Sequence, residues 1–185
     1  MSELDDIRQA LPDSARDIRL NLGSMLGNDG LPELSTDQKW GAALASAIAA
    51  RNLRLTRTIE ALAGAQTSAQ VLEGARIAAS IMAMTNVYYR AMHMAHDAEL
   101  AGLPAGLRMN GLAKHGIDKA DFELFELAAS VVKGCESCTR AHVAGAKEHG
   151  VTVQTIQAVI RLAAVLHATA TVLDTLDEPA LAEVG

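Results

Sequence analysis

Aromatic side chains are scarce in this chain: one tryptophan, two tyrosines and two phenylalanines make up 3% of its 185 residues. Hydrophobic residues nevertheless reach 50%, so the core must be aliphatic and alanine-rich, which suits closely packed helices. No basic stretch is interleaved with aromatics, and the formal net charge is −6; both argue against a nucleic-acid role. An acidic tail is also missing. The opening Met1-Ser-Glu-Leu-Asp-Asp6 lacks the basic region and apolar run of a secretory signal. Apolar runs such as Gly41 to Ala50 are too short and alanine-rich to cross a bilayer. The expectation is a cytoplasmic protein with no membrane partner, in a compartment where free thiols stay reduced.

Sustained strand alternation is absent, and helical periodicity recurs from end to end. An all-α fold follows, a compact multi-helix domain over residues 1–185. Short helices are expected over Asp5 to Ala10 and Ser14 to Leu26, then a turn-rich linker from Gly27 to Pro32. Ser35 with Gln38 reads as a capping box for a helix through Trp40 to Ala50. Thr67 with Gln70 repeats the signal before a long segment reaching about His96. Leu103, Pro104 and Gly106 interrupt. Asp118 caps a helix to Gly134, another runs to about His149, and Thr152 opens the last, with Val151 and Ile156 as a hydrophobic staple. A weak pseudo-repeat, residues 68–100 against 118–150, sets His93 over His142 but loses both thiols, so no catalysis is assigned to the first half.

Cysteine is as scarce as aromatics, with two residues in all, and both fall in Cys135-Glu-Ser-Cys138-Thr-Arg-Ala-His142. In a helix, positions i, i+3 and i+7 share a stripe, so the two thiols and the imidazole face one way. Gly134 precedes the stretch, which sets the cysteines in the first turn of a new helix, where the dipole and unpaired N–H groups favour thiolate. Cysteines at this spacing can close a disulfide, yet so short a loop constrains little of the unfolded chain. Redox chemistry is the better reading. His142 follows Cys138 at i+4 and can accept its proton, making Cys138 the reactive sulfur. Cys135, nearer the helix start and expected to be the more open, is positioned to resolve it.

Other readings compete. Zinc would need a second ligand pair, and none exists. The βαβ context of thioredoxin-type chemistry is missing. Glu123 can be either a partner of His142 or a solvated helix carboxylate like Glu126, and spacing does not decide between them. Met82, Met84, Met92 and Met94 suit helix packing. His93, His96, His115, His149 and His167 read as surface or satisfied core groups.

The run Phe122-Glu-Leu-Phe-Glu-Leu-Ala-Ala-Ser-Val-Val-Lys-Gly-Cys135-Glu-Ser-Cys138-Thr-Arg-Ala-His142 resembles the active-site region of the alkyl hydroperoxidase D family, within the carboxymuconolactone decarboxylase-like superfamily. Asp17 to Leu22, Trp40 to Ser46, Met84 to Arg90 and Gly106 to Asn110 extend the resemblance over nearly the whole chain. It implies a homotrimeric antioxidant peroxidase. Cys138 would become the sulfenic acid, Cys135 would be proton donor and resolving thiol, and His142 with Glu123 would form a proton relay. A second histidine found between the cysteines in some members is replaced here by Ser137. No bound cofactor or metal is implied. Electrons would come from a dihydrolipoyl group on a lipoylated acyltransferase, kept reduced by dihydrolipoamide dehydrogenase, and could pass on to a two-cysteine peroxiredoxin. Two alternatives remain at this point: a carboxymuconolactone decarboxylase-like lyase, which has no need of a thiol pair, and a non-catalytic thiol redox sensor.

Overall fold

In the computed structural model, residues 3–176 are described, and every regular element among them is helical. In chain order they are α1 (Glu3–Ala10), a 3₁₀ turn (Asp13–Ala15), α2 (Arg16–Leu26), α3 (Thr36–Ala50), α4 (Leu53–Gly64), α5 (Ala69–Ala95), α6 (Ala98–Ala101), a second 3₁₀ turn (Asn110–Ala113), α7 (Lys119–Lys133), α8 (Glu136–Glu148) and α9 (Val153–Leu176). The all-α expectation holds. Residues 1–2 and 177–185, which the expected domain over 1–185 includes, lie outside the described residues.

Helix α3 is the central rod, packed against α5, α7 and α9. Its start follows from two side chains: the Gln38 N–H donates to Ser35 Oγ and the Ser35 N–H to Gln38 Oε1, each at 3.1 Å. That is the expected capping box, and it satisfies two backbone donors that would otherwise be orphaned. Ala42, Ala43, Leu44, Ala45 and Ala47 are fully buried, so alanine lets three neighbours approach one rod. At Gly41 a Cβ would overlap the Phe125 ring, which brings α3 and α7 still closer.

Where the structure departs from expectation, tertiary partners are responsible. The cap of α5 is Ser68, whose Oγ accepts from the Val71 N–H at 3.2 Å. Thr67 instead hydrogen-bonds Asp37, and the Gln70 amide donates to the Gly116 carbonyl, so the expected Thr67–Gln70 box does not form. Helix α4 was not anticipated. Arg51 turns the chain through φ 71°, and Asn52 then caps α4 through Leu55 N–H (2.8 Å) while its amide donates to Asp174 (2.7 Å) on α9. Of the four methionines assigned to packing, Met82 is buried, but Met94 is 68% exposed because α5 runs past the helices that cover its first half.

One described helix, α9, is long and apolar enough to span a bilayer by length and composition alone, a feature the survey of apolar runs overlooked. Leu162, Leu166 and Leu173 on it are fully buried within the main core. A core helix in contact with α2, α3 and α7 has the same apolar composition for a different reason. Thr152 opens α9 as expected, its Oγ1 accepting from the Thr155 N–H at 3.1 Å.

Candidate active site

The site is built at the turn between α7 and α8, and one glycine makes that turn possible. Gly134 has φ 63°, a left-handed conformation that costs glycine little. Gly134 N–H then returns to Val131 O at 3.1 Å and Cys135 N–H to Ser130 O at 3.3 Å, closing α7 with a Schellman motif. The next residue already begins α8. Cys135 is its N-cap rather than a first-turn residue, with Sγ accepting from the Cys138 N–H at 3.4 Å. The two cysteines are joined by a disulfide, with Cα atoms 5.4 Å apart.

The expectation that Cys135 would be the more open sulfur is overturned. Cys135 is 0% exposed and Cys138 6% exposed. The reason is position: the N-cap is held under the end of α7, whereas the next turn of α8 faces a cavity. That cavity, about 470 Å³, has Cys138 and His142 on one wall and Glu123 and Glu126 on another. Met82 and Tyr89 from α5, Phe122 from α7, and Met109 and Leu112 from the irregular segment before α7 complete it with largely apolar surface. Its size and lining are those of a small-molecule pocket.

Tertiary packing settles the question that spacing left open for Glu123. The α7–α8 hairpin brings its Oε2 to 2.9 Å from His142 Nδ1, with both side chains mostly covered. A carboxylate accepts, so Nδ1 carries the hydrogen and Nε2 is the nitrogen left to exchange a proton. Glu123 and His142 are therefore together with Cys138, as the sequence reading required.

Glu126 is where that reading fails. Expected to be solvated, it is 3% exposed, and its Oε2 lies 3.5 Å from His142 Nδ1. Burial pushes its carboxyl up to about 7, with the His142 imidazole acting against this and the Glu123 charge adding to it. The other oxygen, Oε1, is buried without a hydrogen-bond partner among the described residues. The sequence signal was the i, i+3 spacing of Glu123 and Glu126, which puts both on one helix face.

One donor atom each from Glu123, Glu126 and His142 fall within 4.8 Å of one another. Within that group the 2.9 Å contact between Glu123 and His142 has the length of a hydrogen bond.

Gly145 is a second residue that the sequence reading missed. A Cβ there would come within 2.7 Å of the Glu123 carboxylate. Glycine one turn beyond His142 thus leaves the space that Glu123 occupies. Gly145→Ala should displace that carboxylate while favouring the helix by roughly 0.5–1 kcal/mol. The expected outcome is a thermal midpoint equal to or above the parent by circular dichroism, with the Glu123–His142 hydrogen bond broken and the His142 ring signals shifted by NMR. Unchanged ring signals would show that Glu123 tolerates displacement.

Comparison with known proteins identifies the family. The model of the Carboxymuconolactone decarboxylase family matches residues 98–179. A Streptomyces avermitilis protein named alkyl hydroperoxide reductase AhpD is 46% identical over 97% of this chain and 99% of its own length. Anaeromyxobacter sp. strain K has one of the same name at 48% identity, over 94% of this chain and 92% of its own. This chain belongs to the AhpD family. Within an AhpD fold, the matched region runs from α6 through α7, α8 and α9, the part that carries both cysteines, the histidine and both glutamates. The relatives also align over the first half, so the likeness extends to α3, which packs on α7, and to α5, which lines the cavity.

Proposed function

We propose that this protein is an antioxidant thiol peroxidase that reduces organic hydroperoxides at Cys138, cycles through the Cys135–Cys138 disulfide and is restored by a dihydrolipoyl group. The observation that carries this reading is the opening of one apolar cavity onto Cys138 beside a hydrogen-bonded His142–Glu123 pair. The names of its relatives point the same way.

Each step assigns a proton. Cys138 ionises to His142 Nε2, and its thiolate attacks the terminal oxygen of RO–OH. The O–O bond breaks, Cys138 becomes a sulfenic acid, and the alkoxide takes the Cys135 thiol proton to leave as ROH. The Cys135 thiolate then attacks the Cys138 sulfur, and hydroxide leaves as water with the proton from His142. In total, two thiols and ROOH give a disulfide, ROH and water. A dihydrolipoyl dithiol reduces the disulfide by attack at the accessible sulfur, Cys138, then closes on itself to release both protein thiols. The restored Cys135 and Cys138 thiols would in turn pass electrons to the disulfide of a two-cysteine peroxiredoxin. The donor would be a lipoylated acyltransferase recharged by dihydrolipoamide dehydrogenase, in the cytoplasm. The lyase alternative leaves this thiol pair without a role.

A homotrimer is part of the proposal. Val87, Met94 and Leu103, each about 60% exposed or more, are apolar side chains that contact with another copy would cover. Light scattering after gel filtration reads the mass directly.

The test of the donor is stopped-flow reduction of the disulfide by dihydrolipoamide, a lipoylated carrier domain, thioredoxin and glutathione at matched concentrations. Reduced lipoyl groups should be much the fastest, because a tethered dithiol closes intramolecularly and a slender arm enters the cavity. A clear win for thioredoxin would end the lipoyl assignment and leave the peroxidase step standing. A sensor would oxidise once, whereas an enzyme sustains NADH loss with dihydrolipoamide dehydrogenase, lipoamide and an organic hydroperoxide.

A further inference from the structure

We propose that Glu126 is a third member of the Glu123–His142 pair, a positioning residue whose charge sets how tightly His142 holds the proton it passes to the reacting oxygen. The geometry is that of one imidazole N–H facing two carboxylates: Glu123 Oε2 at 2.9 Å and Glu126 Oε2 at 3.5 Å from the same Nδ1. The two glutamates differ in surroundings. Glu123 retains 16% of its side-chain exposure and Glu126 4%, and the second Glu126 oxygen has no partner among the described residues. A buried carboxylate oxygen without a donor is costly when charged and much less so when it carries a proton of its own.

The charged and titratable groups on the cavity wall with Glu126 are Lys119 and Glu123 from its own helix, His142 and Cys138 from α8, and Tyr89 from α5. Met109 and Leu112, from the segment before α7, are neutral. Helices α3 and α9 pack on α7 too, but the charges that act on Glu126 are those of His142, Glu123 and Lys119. Near neutrality Glu126 therefore changes charge close to one imidazole and one thiol. While it is neutral, the imidazolium faces a single negative charge and can release its proton. Once it ionises, a second negative charge holds that proton more tightly and works against the Cys138 thiolate in the same cavity. Because its carboxyl is raised to about 7, this change falls within the physiological range.

The inference takes its catalytic consequence from the proposed peroxidase reaction, but the electrostatic coupling can be measured without turnover. The rate of disulfide closure after one equivalent of organic hydroperoxide is added to the reduced full-length protein, the step in which His142 gives up its proton, is compared across pH with Glu126→Gln, an amide that mimics the neutral acid. The ratio of variant to parent rate should rise through neutrality by about tenfold, the effect of a one-unit change in proton affinity. Glu126→Asp, which keeps an ionisable carboxyl, should hold the ratio closer to constant. A flat ratio for Glu126→Gln, or an Asp variant behaving like Gln, overturns the proposal in favour of packing alone. A measurement on the unmutated protein is independent of any folding defect: NMR titration of carbon-labelled glutamate carboxyls and of the His142 ring. The expected result is a carboxyl transition near neutrality that moves the His142 ring signals with it, and a ring signal indifferent to that transition overturns the coupling. A protein without peroxide turnover but with coupled signals would sink the peroxidase reading and leave the electrostatic one intact.

Discussion

Cys138→Ser abolishes peroxide turnover and removes all trapping by a dimedone-type sulfenic-acid probe, while Cys135→Ser leaves a trappable sulfenic acid on Cys138 and stops disulfide closure. The structure gives these opposite outcomes a geometric basis. Cys138 lies on the cavity wall one helical turn before His142, so the sulfur and the imidazole face the space that the proposed function gives to the peroxide. Cys135 is sealed at the N-cap and absent from the cavity wall, where it meets the Cys138 sulfur and the oxygen reacting at it rather than the incoming peroxide. Serine at 138 replaces the nucleophile with a hydroxyl that stays protonated, and no neighbouring group substitutes for it. Peptide mapping of the trapped adduct decides the matter. Adducts found mainly on Cys135 would reverse the two roles and require the N-cap to open during turnover.

The second large effect is on proton transfer. His142→Gln and Glu123→Gln should each slow the peroxide reaction, on the order of 10²–10⁴-fold for His142 as the acid–base group and less for Glu123, which acts through it. Without the imidazole there is no acceptor for the Cys138 proton and no donor for the departing hydroxide. Without the Glu123 charge, the amide that replaces it can offer Nδ1 either an oxygen or an NH2, so the tautomer that presents Nε2 is no longer enforced. Because both substitutions damage one relay, the double variant should lose much less than the product of the single losses. Steady-state rates of all four proteins close the cycle, with circular dichroism as the control on folding. Full additivity would disconnect the glutamate from the histidine and return it to the role of a structural carboxylate.

Much of the fold was legible because its signals are local. Ser35 with Gln38, Asp118 before Lys119, Gly134 and Thr152 each satisfy or end a helix within a few residues, so the chemistry that places the boundary lies beside it in the chain. The boundaries that were misread depend on distant partners. Thr67 and Gln70 have capping chemistry, but Asp37 and Gly116 take their side chains, and Asn52 is tied to a residue 122 positions away.

The site divides in the same way. Helical spacing by itself set Cys138 and His142 on one stripe and Cys135 within bonding reach of Cys138, and the resemblance added Glu123 to them. Only the tertiary structure decided which sulfur faces the cavity, because burial at an N-cap depends on what the preceding helix covers. It also decided that Glu126 is no solvated carboxylate: two glutamates three residues apart share a face, and their unequal exposure follows from how α8 packs across that face. Gly145 shows the same limit, since the absence of a side chain gains meaning only when another helix brings a carboxylate into the vacated space. Periodicity specifies direction along a helix, whereas distance, burial and proton affinity belong to the surfaces that helices bring together.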